Sequence, residues 1–269
     1  MTEKKDKNYK RLGQMLKNKD FEALLNDLQN MQKTDEFKNF TKKTEKNPIS
    51  EFDDLLFYFP QYSCKRQENA EGEKILTNEL HPRAMEFLEF CLKNGANPNA
   101  YMRNGENAFL KSCEIKNTEV LEYLLNNPYV EVNKKHGDGM GNNALFYATM
   151  AEATEVIEYL VTKCDFDINH KNFLSNNETC LHYACGHGKE KSFEKLIELG
   201  ASPLILDSYG CKPVEMIMAG YDEETIEEFD QNDPEDVVEL KKWKTFYDKV
   251  LVVTEKYSQE NKPTKRLKF

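Results

Sequence analysis

Four side chains that could ligate a metal fall within eight residues: Cys180, His182, Cys185 and His187. Thiolate and imidazole are the ligands that zinc takes in tetrahedral sites, so the cluster invites a zinc reading. Helical geometry argues against it. At roughly 100 degrees per residue the later three side chains point about 200, 500 and 700 degrees round from the first, so the four do not converge. A structural zinc site draws its ligand pairs from a turn and a separate element, and one short run cannot supply both. No metal ligand is assigned.

Other chemistry is thin. Cys64 and His81 could form a thiol and base, but nothing in the sequence positions them, and a nucleophile needs its base within hydrogen-bond reach. The phosphate-binding glycine loops, the HExxH helix and the GxSxG elbow are all missing. Residues 222–240 hold ten acids and no basic residue. A calcium loop would need Gly at its sixth position and Glu at its twelfth, and neither frame fits. The run reads as a solvated acidic linker leading into a helix, with a lure for a basic partner as the functional alternative. Short basic clusters at 4–11 and 262–269 read as solvated ends, with nuclear import as the alternative. No catalytic residue, metal or cofactor is expected.

Bulk properties narrow the partners. With a formal net charge of -10 the chain will not hold a nucleic-acid backbone by bulk charge. An anionic membrane surface would repel it, whereas basic protein segments are electrostatically easier to approach. The start MTEKKDKNYK has no apolar core for a secretion signal, and no window approaches a membrane span. The seven cysteines, an odd number, fit free thiols in a reducing compartment, cytoplasmic or nuclear. At 31% charged and 39% hydrophobic the chain is polar for a folded protein, as solenoids with thin cores are.

The elements that would carry these residues recur. "NGENAFLKSCEIKNTEVLEYLLNN" starts at Asn104, "MGNNALFYATMAEATEVIEYLVTK" at Met140, "NNETCLHYACGHGKEKSFEKLIEL" at Asn176 and "YGCKPVEMIMAG" at Tyr209, at spacings of 36, 36 and 33 residues. In each unit a short apolar run such as Ala144 to Ala148 predicts an inner helix of about two turns. A second run predicts an outer helix with one apolar stripe: Val120, Leu121, Leu124 and Leu125, then Val156, Ile157, Leu160 and Val161, then Phe193, Leu196 and Ile197. Thr118 and Thr154 are expected N-caps. Gly95 and Gly200 stand where a helix end needs a positive φ. Such a helix pair cannot bury its apolar face alone, so neighbours must stack.

The pattern resembles the ankyrin repeat, whose inner helix opens with Thr-Pro-Leu-His-x-Ala. Thr179-Cys180-Leu181-His182-Tyr183-Ala184 matches except at the proline; Asn143 to Ala148, Asn107 to Ser112 and Lys212-Pro213-Val214-Glu215 match more loosely. A unit-opening aspartate appears at Asp138 and Asp207 only. The resemblance covers roughly 80–220 and implies an all-α ankyrin-type solenoid of about four to six stacked helix-pair repeats, with helical caps at both ends. It implies that His182 hydrogen-bonds the adjacent hairpin's backbone.

The expected organisation is a helical cap or degenerate repeat over 1–50, with a break near 18–20. A divergent repeat follows over 51–99, with an insertion near 60–80 that is either a functional loop or an irregular excursion. Repeats span 100–133, 134–169 and 170–204. A degenerate terminal repeat and the acidic linker span 205–232, and a capping helix and basic tail 233–269. In the capping helix Val237, Leu240, Trp243, Tyr247 and Val250 are expected on the buried face.

The resemblance also implies a concave binding face made of hairpin tips and inner-helix ends. Its tips would be Arg103, Asn104 and Glu106; Lys135, His136, Met140 and Asn142; Ser175, Asn176 and Glu178; Ser208, Tyr209 and Cys211. Its helix ends would be Glu114, Ile115, Met150 and His187. Met140, Met150, Ile115 and Tyr209 are expected as exposed apolar anchors. The leading functional expectation is a non-enzymatic scaffold or adaptor, a monomer on its own, that binds a partner protein, one with a basic segment included. The alternatives are the targeting arm of a divergent enzyme or effector whose active site lies in residues 1–80, and a structural subunit of a stable complex.

Overall fold

A computed structural model of the chain describes residues 2–42, 49–68, 72, 74–102, 104–128, 130, 137–219 and 233–261. Two compact units make up the chain, residues 1–159 and 160–269. Both are built from helix pairs, and the solenoid class expected from the sequence is the one observed.

In the first unit α1 (Thr2–Lys17) and α2 (Phe21–Gln32) pair across a break at residues 18–20, where Lys19 adopts a φ of 62°. Asp20 caps α2, its carboxylate accepting from the Ala23 N–H at 2.9 Å. A short α3 (Asp35–Phe40) follows. Next comes α4 (Glu51–Ser63), opened by a capping box: Ser50 Oγ accepts from the Asp53 N–H, and Asp53 Oδ2 accepts from the Ser50 N–H. Asp53 Oδ1 also accepts from the Asn97 N–H at 2.6 Å, tying the start of α4 to the loop after α5 (Ala84–Lys93). Phenylalanine packs this end of the molecule. Phe21, Phe59 and Phe87, from α2, α4 and α5, lie with ring centroids 5.6–5.9 Å apart, in tilted and edge-on contacts that aromatic quadrupoles favour.

The insertion is narrower and more regular than expected. Helix α4 runs through Pro60 to Ser63, and the chain then forms an antiparallel hairpin of β1 (Cys64–Glu68) and β2 (Lys74–Leu80). A register irregularity separates Cys64 from Arg66. Only Cys64 of β1 is buried, so the strand lacks the alternation that marks a half-buried strand in sequence.

The repeat helices α6 (Ala108–Ser112), α7 (Thr118–Leu125), α8 (Ala144–Met150) and α9 (Thr154–Thr162) fall where the apolar runs placed them. The stripe residues Val120, Leu121, Leu124, Val156, Ile157 and Leu160 are all buried, while Leu125 and Val161 mark its half-buried edge. The expected caps shift by one residue. Asn117, not Thr118, caps α7, because its carbonyl oxygen reaches the Val120 N–H at 3.1 Å. Thr154 is the first residue of α9, and its hydroxyl donates to the Glu155 carboxylate instead.

In the second unit α10 (Cys180–Gly186) packs between α11 (Glu190–Glu198) and α12 (Pro213–Ala219), and α13 (Pro234–Glu260) packs on α12. Gly200 ends α11 at a φ of 93° and Gly95 ends α5 at 86°, as expected, each followed by an N–H that reaches back to the last turn. Asp233 caps α13 with Pro234 in the first turn. The buried face of α13 overlaps the expected one: Val250 is fully buried and Leu240, Trp243 and Tyr247 are half-buried. Phe246 and Thr254 are buried with Val250, Phe246 edge-on to Phe193 at 5.6 Å, while Val237 is 45% exposed. The full burial starts at Phe246, and Val237 and Val238 in the first turns are exposed. Lys249 pairs with Glu190 and Glu194 of α11. Residues 220–232 and 262–269, which hold most of the acidic run and the basic tail, lie outside the described residues.

Candidate binding surfaces

Each repeat begins with a hairpin turn closed by one backbone bond. The N–H of Met102 donates to the carbonyl of Glu106, Asp138 to Asn142, Asn172 to Glu178 and Asp207 to Cys211, at 2.8–3.1 Å. In three of these turns an acceptor side chain at the first residue holds the loop, and in the turn that opens at Met102, Asn104 Oδ1 accepts from the Glu106 N–H instead. Asp138 Oδ1 accepts from the N–H groups of Met140 and Asn142; Asp207 Oδ1 accepts from those of Tyr209 and Cys211. Asn172 does the same for Leu174 and Ser175, so an amide replaces the unit-opening aspartate in the third repeat. That turn is two residues longer, with Asn176 and Asn177 at φ 48° and 57°, a region Asn tolerates better than most residues.

The residue after each turn caps the inner helix. Asn107, Asn143 and Thr179 accept from the N–H groups of Leu110, Phe146 and His182. His182 completes the third turn. Its Nδ1 accepts from the Thr179 N–H at 3.1 Å, and its Nε2 donates to the Cys211 carbonyl in the next hairpin at 3.1 Å. Both ring nitrogens are thus committed to the backbone, which is the role expected of His182 and the opposite of a metal ligand. Burial lowers its pKa first, with the Cys211 carbonyl opposing.

Neighbouring hairpins in one unit are also joined by backbone bonds, Gly139 N–H to the Asn104 carbonyl at 3.1 Å and Ser208 N–H to the Asn176 carbonyl at 2.7 Å, and Lys171 Nζ donates to the Leu206 carbonyl at 2.6 Å. Gly105, at φ 81°, sits so close that a Cβ there would lie 2.3 Å from the Gly139 nitrogen. Beneath these tips the Tyr147 hydroxyl lies 2.9 Å from Asp138 Oδ2 and 3.1 Å from Glu106 Oε1. Burial and the two carboxylates push that phenol's pKa up, holding it protonated.

This turn-and-helix-pair unit has a known counterpart. Residues 80–172 match a family model of three ankyrin repeats, and residues 176–208 match a further ankyrin repeat. The chain carries ankyrin repeats. The two matches part between 172 and 176, within the lengthened turn. No curated protein matches the chain. Ankyrin repeats are protein–protein interaction modules, and no helix among the described residues is long and apolar enough to cross a membrane.

In the first unit the ankyrin helix ends named from the sequence come together. Glu114, Ile115 and Met150 line one pocket of about 530 Å³. Ile115 is 1% exposed, so it is packed wall and not the exposed anchor expected; the turn after α6 folds it inward beside Cys113. Sequence reasoning missed Gln61 at the end of α4, Arg66 on the hairpin and Lys116, which complete the pocket. Of the tips, Met140 is 65% exposed. Glu106 and Asn142 are half-buried and brace the turns, Glu106 against Lys111 at 3.3 Å and Asn142 through Nδ2 to Asp138. Asn104 is exposed, with its carbonyl in the hairpin-to-hairpin bond. Arg103, Lys135 and His136 lie outside the described residues.

In the second unit Tyr209 is 76% exposed, and Ser208 and Asn176 are exposed beside it. Ser175, Glu178 and Cys211 are half-buried; burial raises the carboxyl pKa of Glu178 and the thiol pKa of Cys211. His187 stacks on Tyr183 at 4.0 Å and opens onto a pocket of about 550 Å³ whose other wall is α13, with Lys242, Trp243 and Phe246. The lengthened turn adds Phe173 and Leu174, 71% and 68% exposed, which no sequence motif indicated.

The thiol–base pairing of Cys64 and His81 has no catalytic character. Cys64 is fully buried, and burial raises its thiol pKa, which keeps the weakly nucleophilic thiol form. Burial lowers the His81 pKa, and the ring lies against Phe21 at 6.3 Å.

Proposed function

We propose that the chain is a non-enzymatic adaptor or scaffold, cytoplasmic or nuclear, that binds a partner polypeptide through its ankyrin turns and inner-helix ends. One observation carries this reading. The four most exposed large apolar side chains among the described residues, Tyr209, Phe173, Leu174 and Met140, all sit on ankyrin hairpin turns. Exposed Phe, Tyr and Met on turns fixed by backbone bonds cost little ordering on binding and suit binding hot spots. A partner bearing a basic segment would meet the carboxylates of 222–240 at the far end of the chain.

The test is capture of partners by the tagged chain in its native cell, comparing wild type with Phe173→Glu/Tyr209→Glu and with Met140→Glu/Met150→Glu. Both variants are expected to keep wild-type circular dichroism and thermal midpoint while losing the proteins the wild type retains. Undiminished capture by both would remove the binding role from these surfaces.

A further inference from the structure

The pocket at the helix ends of the first unit carries a charge opposite to that of the chain. Three cations reach it, Arg66, Lys111 and Lys116, against one anion, Glu114. Lys111 is already neutralised by Glu114 at 3.0 Å and Glu106 at 3.3 Å. Arg66 and Lys116 form no ion pair among the described residues. Among the described residues the pocket therefore presents two unpaired positive charges, in a chain whose formal net charge is -10.

The hairpin is what brings Arg66 there. The strand β1 is exposed at every position after Cys64, and its register irregularity falls between Cys64 and Arg66. Such bulges twist a strand and re-aim the next side chain. Its neighbour Lys65 is held across the hairpin by Glu79 at 2.9 Å, whereas Arg66 lines the pocket with no ion pair among the described residues. Beside the two cations the surface is apolar: Met150, Ala151 and the buried wall of Ile115. A guanidinium offers paired donors that match a carboxylate, and methionine adapts to apolar groups of many shapes.

We propose that this pocket receives an acidic residue of the partner, Asp or Glu, with an adjacent apolar side chain laid against Met150. The proposal rests on the groove-binding reading and specifies its chemistry in this unit, where the preferred charge is the reverse of that expected for the acidic 222–240 end. The hairpin insertion thereby acquires a role as the pocket's charged rim.

A random peptide library displayed on phage, panned on the full chain and counter-selected on Met150→Glu, tests it. The expected result is enrichment of peptides pairing Asp or Glu with a large apolar residue. Synthetic versions should bind Arg66→Glu/Lys116→Glu about tenfold more weakly or worse, since both attractions become repulsions. Replacing their acids with Asn or Gln should weaken binding to the wild type in the same way. Enriched peptides that are neutral or basic, or acidic ones indifferent to the double reversal, overturn the acidic preference while leaving groove binding intact. Failure to enrich anything over Met150→Glu overturns the pocket as a peptide site, while the role of the Phe173 and Tyr209 turns is decided by the capture experiment.

Discussion

The imidazole of His182 joins two ankyrin repeats through a single ring, with Nδ1 on the Thr179 N–H and Nε2 on the Cys211 carbonyl. Its lowered pKa gives stability a pH dependence. The unfolded chain takes up the proton near 6.5, while the buried ring resists it. Between the native pKa and about 6.5 the unfolded state holds more protons, so stability falls as pH drops through that window and levels off below it. Urea midpoints of the wild type are expected to decline from pH 7.5 toward 5, and His182→Gln should flatten most of that slope. His81, half-buried and shifted the same way, contributes in the same direction. Gly105 supports a second prediction at this scale. An alanine there combines a left-handed backbone with a Cβ driven into the Gly139 backbone. Gly105→Ala should cost about 2 kcal/mol or more. Gly188→Ala, also at positive φ but facing open space, should cost only about 1 kcal/mol. Thermal melts of the two variants rank them.

Among the elements, helix starts and packing faces were the least legible in sequence. The cap of α7 was misplaced by one residue because Asn117 and Thr118 are both capping types, and only the bond from Val120 N–H decides between them. Asn117→Ala is expected to cost about 1 kcal/mol and Thr118→Ala much less, read from chemical denaturation. The stripe of α13 was legible at Val250 and misjudged at Val237, because periodicity gives a face but not where along the helix the neighbour begins. Phe246→Ala should therefore cost about 3 kcal/mol, and Val237→Ala less than about 0.5 kcal/mol. By contrast, the period, the outer stripes and the His182 position were legible, because turn, cap and helix signals all fall within a few adjacent residues. The β1–β2 hairpin was not, since a strand with one buried residue shows no alternation. Phe173 and Leu174 were missed because a turn lengthened by two residues is a change of length, with no motif to announce it.

At the scale of the whole molecule, burial sorts the seven thiols. Cys64, Cys91, Cys113, Cys180 and Cys185 are buried, and Cys164 and Cys211 are half-exposed. A thiol reagent applied to the native chain should modify Cys164 and Cys211 first, with Cys211 slowed by its raised pKa. The remaining five should react at the rate of unfolding, which peptide mapping after timed quenching would show; early modification of Cys64 or Cys185 would contradict the packing described for either unit.

Two bonds that join one hairpin to the next, Gly139 to Asn104 and Ser208 to Asn176, run between main-chain atoms only. The outward side chains at Met140, Phe173, Leu174 and Tyr209 take no part in these two bonds. Substituting those side chains leaves both bonds their donors and acceptors, so the displayed surface can be re-lettered without unlinking the turns that carry it.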